Sequence, residues 1–245
     1  MSSPTTPTVV LVHSMSLDRH QWDPLIDQLT VGRQVIAYDL RGHGDAAGAP
    51  AAQTMDDYVV DLLAILDTRG LDTVHAVGHS MGGAIVLTAA LAAPERFASL
   101  ALLATTDHPY PEFADRAAAI ERDGVAALVE PMLARWFTAN ALARDEPGVR
   151  RARETLRHVN AADWAATLRA YSTLNVQERL GAIAHPTLVV AGDADVVTPP
   201  AIMRPLAQRI PNAVYRELPG APHMLTLEQP KLVAEALDAF LPRDR

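Results

Sequence analysis

The chain has 245 residues, 49% of them hydrophobic and 20% charged, which is enough for one large domain with a sizeable core. Its formal net charge of −8 lacks the basic excess that a nucleic-acid-binding face requires. There is no cysteine, which excludes disulfides, thiolate nucleophiles and zinc–thiolate sites.

The opening MSSPTTPT has no basic stretch followed by an apolar one, so it does not read as a signal peptide. No apolar run reaches the roughly 20 residues of a membrane span, and a cytoplasmic protein is expected. Six short apolar runs predict strands: TVVLVH (8–13), QVIAYD (34–39), TVHAVG (73–78), SLALLA (99–104), TLVVAG (187–192) and AVYREL (213–218). Several are apolar on both faces, as strands covered by helices on both sides must be. Segment 54–70 predicts a helix. Thr54 and Asp57 have the spacing of a capping box, Met55, Tyr58, Val59, Leu62 and Leu66 share one face, and Gly70 is a natural stop. Alternating strands and helices predict an α/β fold with a mostly parallel central sheet and right-handed crossovers.

Between about 107 and 183 the alternation breaks into helices alone. Val125, Leu128, Val129, Met132, Leu133 and Trp136 form one stripe, and Trp164, Leu168 and Tyr171 another. Residues 107–183 are therefore expected to be a helical cap inserted at the carboxyl edge of a core made of 1–106 and 184–245. The last helix is expected from about Gln229, with Pro230 in its first turn and a stripe of Val233, Ala236, Leu237 and Phe240.

GHSMG (78–82) places Ser80 between two glycines, after a predicted strand and before a helix rich in small residues. That is the setting of a nucleophile elbow, where a strained serine backbone needs close packing around it. A serine hydroxyl needs a base to take its proton. Of the four histidines after Ser80, His108 and His158 fall in the helical insertion, and His185 precedes a strand at the opposite edge. His223 lies in the loop between the last strand and the last helix, at the same edge as Ser80, and is the expected base. A carboxylate should lie in another loop there, and AGDADVVTPP offers both Asp193 and Asp195. The oxyanion donors expected are the backbone N–H groups of Met81 and of Met15, in the loop VHSMSLDRHQW after the first strand. Substrate contacts are assigned to His13, Ser14, Met132, Trp136 and Trp164. His79 is read as packing, His43 as loop structure and Arg135 as part of a solvated helix face. No helical His-x-x-x-His pair or phosphate-loop lysine accompanies these residues, so no metal and no cofactor are expected.

These residues resemble the alpha/beta-hydrolase family. The matching pieces are LVHSMSLDRHQWDPL, VIAYDLRGHGDA, VGHSMGGAIVLTAALAAPERF, PTLVVAGDADVVTPP and GAPHMLTLEQP, in the family's order from residue 11 to 230. Within the family the chain is most similar to 3-oxoadipate enol-lactonases and cofactor-free haloperoxidase-like esterases, with MLARWFTANAL (132–142) and Trp22-Asp23-Pro24 among the shared segments. Enol-lactonases usually carry Asn-Ser where this chain has His13-Ser14. The resemblance implies Asp195 as the triad carboxylate, with Asp193 left as a turn residue bonding its own backbone. It implies a serine hydrolase of a small ester or lactone, while the charge and the lack of a long apolar run lead to the expectation of no nucleic-acid or membrane partner, and a homo-oligomer stays open. Serine at the nucleophile position argues against the aspartate-dependent dehalogenases and epoxide hydrolases of the same fold. A carbon–carbon bond hydrolase, a perhydrolase and a non-catalytic ligand receptor remain as alternatives on the same residues.

Overall fold

The computed structural model describes residues 7–110 and 112–243, so residues 1–6 of the opening segment lie outside the described residues. The strands are Thr8–Val12 (β1), Gln34–Tyr38 (β2), Val74–His79 (β3), Phe97–Leu103 (β4), Thr187–Gly192 (β5) and Ala213–Leu218 (β6). Each of the six predicted runs is a strand. They pair in parallel in the order β2-β1-β3-β4-β5-β6.

Side chains alternate across the pleat, and both faces are apolar because both are covered. Val9, Leu11, Val77, Leu103 and Val190 enter one core with Leu25 and Leu29 of α1 (Asp23–Leu29). Val10, Val12, Ala76, Leu100 and Val189 enter the other, against α2 (Met55–Thr68) and α3 (Met81–Ala92). The predicted box holds α2 at its start: the Asp57 carboxylate accepts from the Thr54 N–H at 3.0 Å. Gly70 follows its end at φ +63°, where a side chain would be strained.

Among the described residues, five α-helices lie between β4 and β5: α4 (Phe113–Asp123), α5 (Val129–Trp136), α6 (Ala139–Ala143), α7 (Pro147–His158) and α8 (Ala161–Tyr171). The chain then forms α9 (Pro200–Arg209), a short α10 (Leu225–Glu228) and α11 (Pro230–Asp238). The sequence stripe ran on to Phe240, but α11 ends earlier and Phe240 packs from beyond it as a partly buried side chain. No helix among the described residues is long and apolar enough to cross a membrane.

Strand order reverses between β1 and β3: β1 leads to β2 on one side, and the chain then returns to β3 on the other. At such a switch point the loops leaving the carboxyl ends diverge and open a crevice. The loop at Ser14–Met15 and the turn at Ser80 leave the sheet there.

Candidate active site

Ser80 sits at φ +53° and ψ −118°, a conformation that costs a non-glycine residue about 1–3 kcal/mol. Its neighbours hold it there. The Ser80 N–H donates to Leu103 O at 2.8 Å, and the Thr105 hydroxyl donates to Ser80 O at 2.6 Å. The glycines of the motif are required by close approach. A Cβ on Gly78 would stand 2.3 Å from Gly82 O, and one on Gly82 would stand 2.1 Å from Val12 O. β3, α3 and the end of β1 are thereby pressed together, which projects the Ser80 hydroxyl out of the turn.

The His223 ring lies with Nε2 3.1 Å from Ser80 Oγ and Nδ1 2.9 Å from Asp195 Oδ2. Asp195 is buried and receives further donors. The N–H groups of Val197 and Thr198 reach Oδ1 at 2.7 and 2.9 Å, and the Thr198 hydroxyl reaches Oδ2 at 2.7 Å. Burial opposes its charge, but the His223 ring beside it and these hydrogen bonds prevail and hold Asp195 well below the usual carboxylate range. Asp193 does something else. It is exposed, and its Oδ1 accepts from the Gly220 N–H at 2.6 Å. With Asp193 N–H to Leu218 O and Ala194 N–H to Ala221 O, it stitches the loop after β5 to the loop carrying His223. The expected bond to its own backbone is replaced by this cross-loop bond.

Met81 is the first residue of α3, so its N–H has no partner inside the helix and lies at the positive end of the helix dipole. Met15 lines the same cavity as Ser80 and His223. That cavity, about 550 Å³ of empty space counting its open mouth, is lined by apolar side chains together with Arg116, Arg135 and Glu112. Strand-end loops form its floor, and α4, α5 and α8 its walls.

Of the residues expected to meet substrate, Ser14, Met132 and Trp136 line the cavity, whereas His13 and Trp164 do not. Trp164 is 1% exposed within the apolar core, because its place on α8 is two turns from Tyr171, which does reach the cavity. His13 is fully buried, with Nδ1 donating to Ser14 O and Nε2 accepting from the Leu40 N–H, so neither ring nitrogen is free for a ligand. Arg135 is exposed as expected, but at the rim of this cavity, where Arg116 joins it. Tyr110, Phe113 and Arg116 were missed. They belong to the segment that follows β4, and nothing local in the sequence marks which of its side chains turn inward.

Two buried histidines bear on acid stability. Burial, and secondarily His43, pushes His13 down to about 3, and burial with the nearby His223 does the same to His79. The unfolded chain takes up these protons near the ordinary 6.5, the folded chain only near 3. Between those values the unfolded state binds more protons, so stability is full above 6.5 and falls as pH falls, by up to ~1.4 kcal/mol per pH unit for each histidine. The urea midpoint is expected to drop between pH 7 and pH 5. An unchanged midpoint would show that these rings are not held neutral.

Residues 7–131 match the family model of the alpha/beta hydrolase fold. The chain is 29% identical over 237 residues to 3-oxoadipate enol-lactonase 1 of Acinetobacter baylyi, covering 96% of this chain and 88% of the relative. Among solved structures it is similar to the enol-lactonase from Burkholderia xenovorans, at 28% identity and TM-score 0.92 over 98% of this chain and 93% of that one. It is also similar to a thermophilic esterase from Thermogutta terrifontis solved with malate bound, at 28% identity and TM-score 0.90 over 97% and 90%.

Proposed function

The chain belongs to the alpha/beta hydrolase family, and from that premise we propose that it hydrolyses a small carboxylic ester or lactone through an acyl-enzyme on Ser80. The observation that carries this reading is the unbroken line of hydrogen bonds from Ser80 Oγ through the His223 ring to Asp195. Ser80 Oγ attacks the carbonyl carbon as its proton passes to His223 Nε2. Asp195 accepts from Nδ1–H, which fixes the tautomer that leaves Nε2 free and stabilises the imidazolium. The carbonyl oxygen becomes an oxyanion held by the Met15 and Met81 N–H groups. Collapse breaks the acyl carbon–oxygen bond, and His223 returns the proton to the leaving oxygen, which in a lactone stays tethered to the acyl group. Water then gives its proton to His223, its oxygen attacks the acyl carbon, and Ser80 leaves with that proton. Residues 107–183 act as the cap that shapes the acyl site.

The rim adds a preference. Arg116 and Arg135 both border the cavity. Glu112 stands 3.8 Å from the Arg116 guanidinium, too long for a hydrogen bond. Burial and the neighbouring Arg135 work against the charge on Arg116, and Glu112, which lines the same cavity, offsets them only in part. An anion between the two guanidinium groups would relieve that repulsion, so the proposed substrate carries an acid group besides its ester or lactone carbonyl. The related esterase was solved with a dicarboxylate, which supports the same reading.

A panel of p-nitrophenyl esters and lactones, each with and without a free carboxylate, tests this. Arg116→Gln and Arg135→Gln are each expected to raise KM for the acid-bearing compounds about tenfold, with kcat changed less than about threefold. Neutral compounds should be unaffected. Equal effects on neutral and acidic compounds would contradict the anion preference.

A further inference from the structure

His79 precedes Ser80, yet its ring is engaged elsewhere, in a chain of hydrogen bonds that admits one assignment of donors and acceptors. His79 Nε2 lies 2.9 Å from His223 O, a carbonyl that can only accept, so Nε2 carries the proton. Nδ1 is then a lone pair and accepts from the Gln21 amide nitrogen at 2.8 Å. The Gln21 amide can point only one way. Its Oε1 accepts from the Ser14 N–H at 3.0 Å and from the Ser14 hydroxyl at 2.7 Å. Gln21, His79 and Ser14 are each 1% exposed or less, so water cannot replace any lost partner cheaply.

The two ends of this chain matter. Ser14 adjoins Met15, whose N–H is an oxyanion donor in the proposed reaction, and His223 is the proposed base. The contacts join residues 58 and 144 positions apart, so no local turn could supply them. We propose that Gln21 is a positioning residue that locks the oxyanion loop to the loop carrying His223, using the neutral His79 ring as the link. The proposal rests on the acyl-enzyme reading, since only then must Met15 N–H and His223 keep one geometry about Ser80. Gln21 reaches both ends because its amide offers an acceptor and a donor at once. Methionine offers neither, and an ionised glutamate offers only acceptors. The titratable groups that bear on His79 are His223, Asp195 and His13.

The test compares wild type, Ser80→Ala, Gln21→Met and Gln21→Glu on one p-nitrophenyl ester from pH 5.5 to 9. Gln21→Met is expected to lower kcat about 10- to 100-fold, with KM within about threefold, because misplacement of reacting groups is felt in the transition state. Gln21→Glu still accepts from Ser14 but faces His79 Nδ1 with a second acceptor. It becomes workable when the introduced carboxyl and His79 Nδ1 share one added proton, on the carboxyl oxygen or on the ring, so its kcat relative to wild type should fall as pH rises. A merely structural role would leave that ratio flat across pH. Should Gln21→Met fail to fold, the pH course of Gln21→Glu decides. If both variants keep kcat within about threefold of wild type while Ser80→Ala is inactive, the positioning role is overturned and the acyl-enzyme reading stands. If Ser80→Ala itself turns over normally, the acyl-enzyme reading fails and takes this proposal with it.

Discussion

Ser80→Ala is expected to lower kcat by about 10⁴- to 10⁶-fold while leaving KM and the thermal midpoint nearly unchanged. The size follows from the geometry. Alanine keeps the turn at φ +53° and the packing of Gly78 and Gly82, but removes the hydroxyl oxygen 3.1 Å from His223 Nε2. Among the described residues no other hydroxyl hydrogen-bonds that nitrogen, so no substitute for the Ser80 oxygen is in place. His223→Ala should cost about as much, and the double variant little more, because the two side chains act as one unit. Steady-state kinetics on the preferred ester checks both. A Ser80→Ala enzyme within about tenfold of wild type would show that hydrolysis does not pass through this oxygen.

Asp195→Asn is the second large effect, at about 10⁴-fold in kcat. Four donors converge on this carboxylate: the N–H groups of Val197 and Thr198 at Oδ1, and the Thr198 hydroxyl and His223 Nδ1 at Oδ2. An asparagine meets them best with its oxygen toward the two backbone N–H groups. Its NH₂ then faces His223 Nδ1, which must become an acceptor, and the ring proton moves to Nε2. That tautomer cannot accept from Ser80. Asp193→Asn keeps an oxygen for the Gly220 N–H and should leave kcat within about threefold. Parallel kinetics of the two variants decides the assignment, and the reverse order would transfer the carboxylate role to Asp193.

That pair also shows how far the sequence could be read. That the structure brings Ser80 and His223 together was legible because each is marked by its local setting, a glycine-flanked turn between strand and helix and a loop leaving the last strand. Asp193 and Asp195 share one loop two residues apart, and only the fold separates them. The backbone of Val197 and Thr198 curls around Asp195, while Asp193 turns out to Gly220. The six strands were legible because sheets covered on both faces leave continuous apolar runs. Cavity-lining residues were less so, since a helical stripe faces the interior whether that interior is core or pocket. Met132 and Trp136 of α5 reach the cavity, while Trp164 of α8 is sealed in the core beyond it. His13 follows a strand at the active edge, but its ring is tied to Ser14 O and the Leu40 N–H, a tertiary partner that no sequence spacing announces. Gln21 gave no signal at all, because its partner His79 is 58 residues away.

The most direct measurement is covalent labelling with a fluorophosphonate, followed by peptide mapping of wild type and Ser80→Ala. The phosphorus occupies the place of the tetrahedral carbon, so the reagent reads the nucleophile, the base and the oxyanion donors together. One adduct per chain on Ser80, with activity lost in proportion and no adduct in Ser80→Ala, is the predicted result. Full activity after exposure to the reagent, or an adduct on another residue that tracks the loss, would contradict the account.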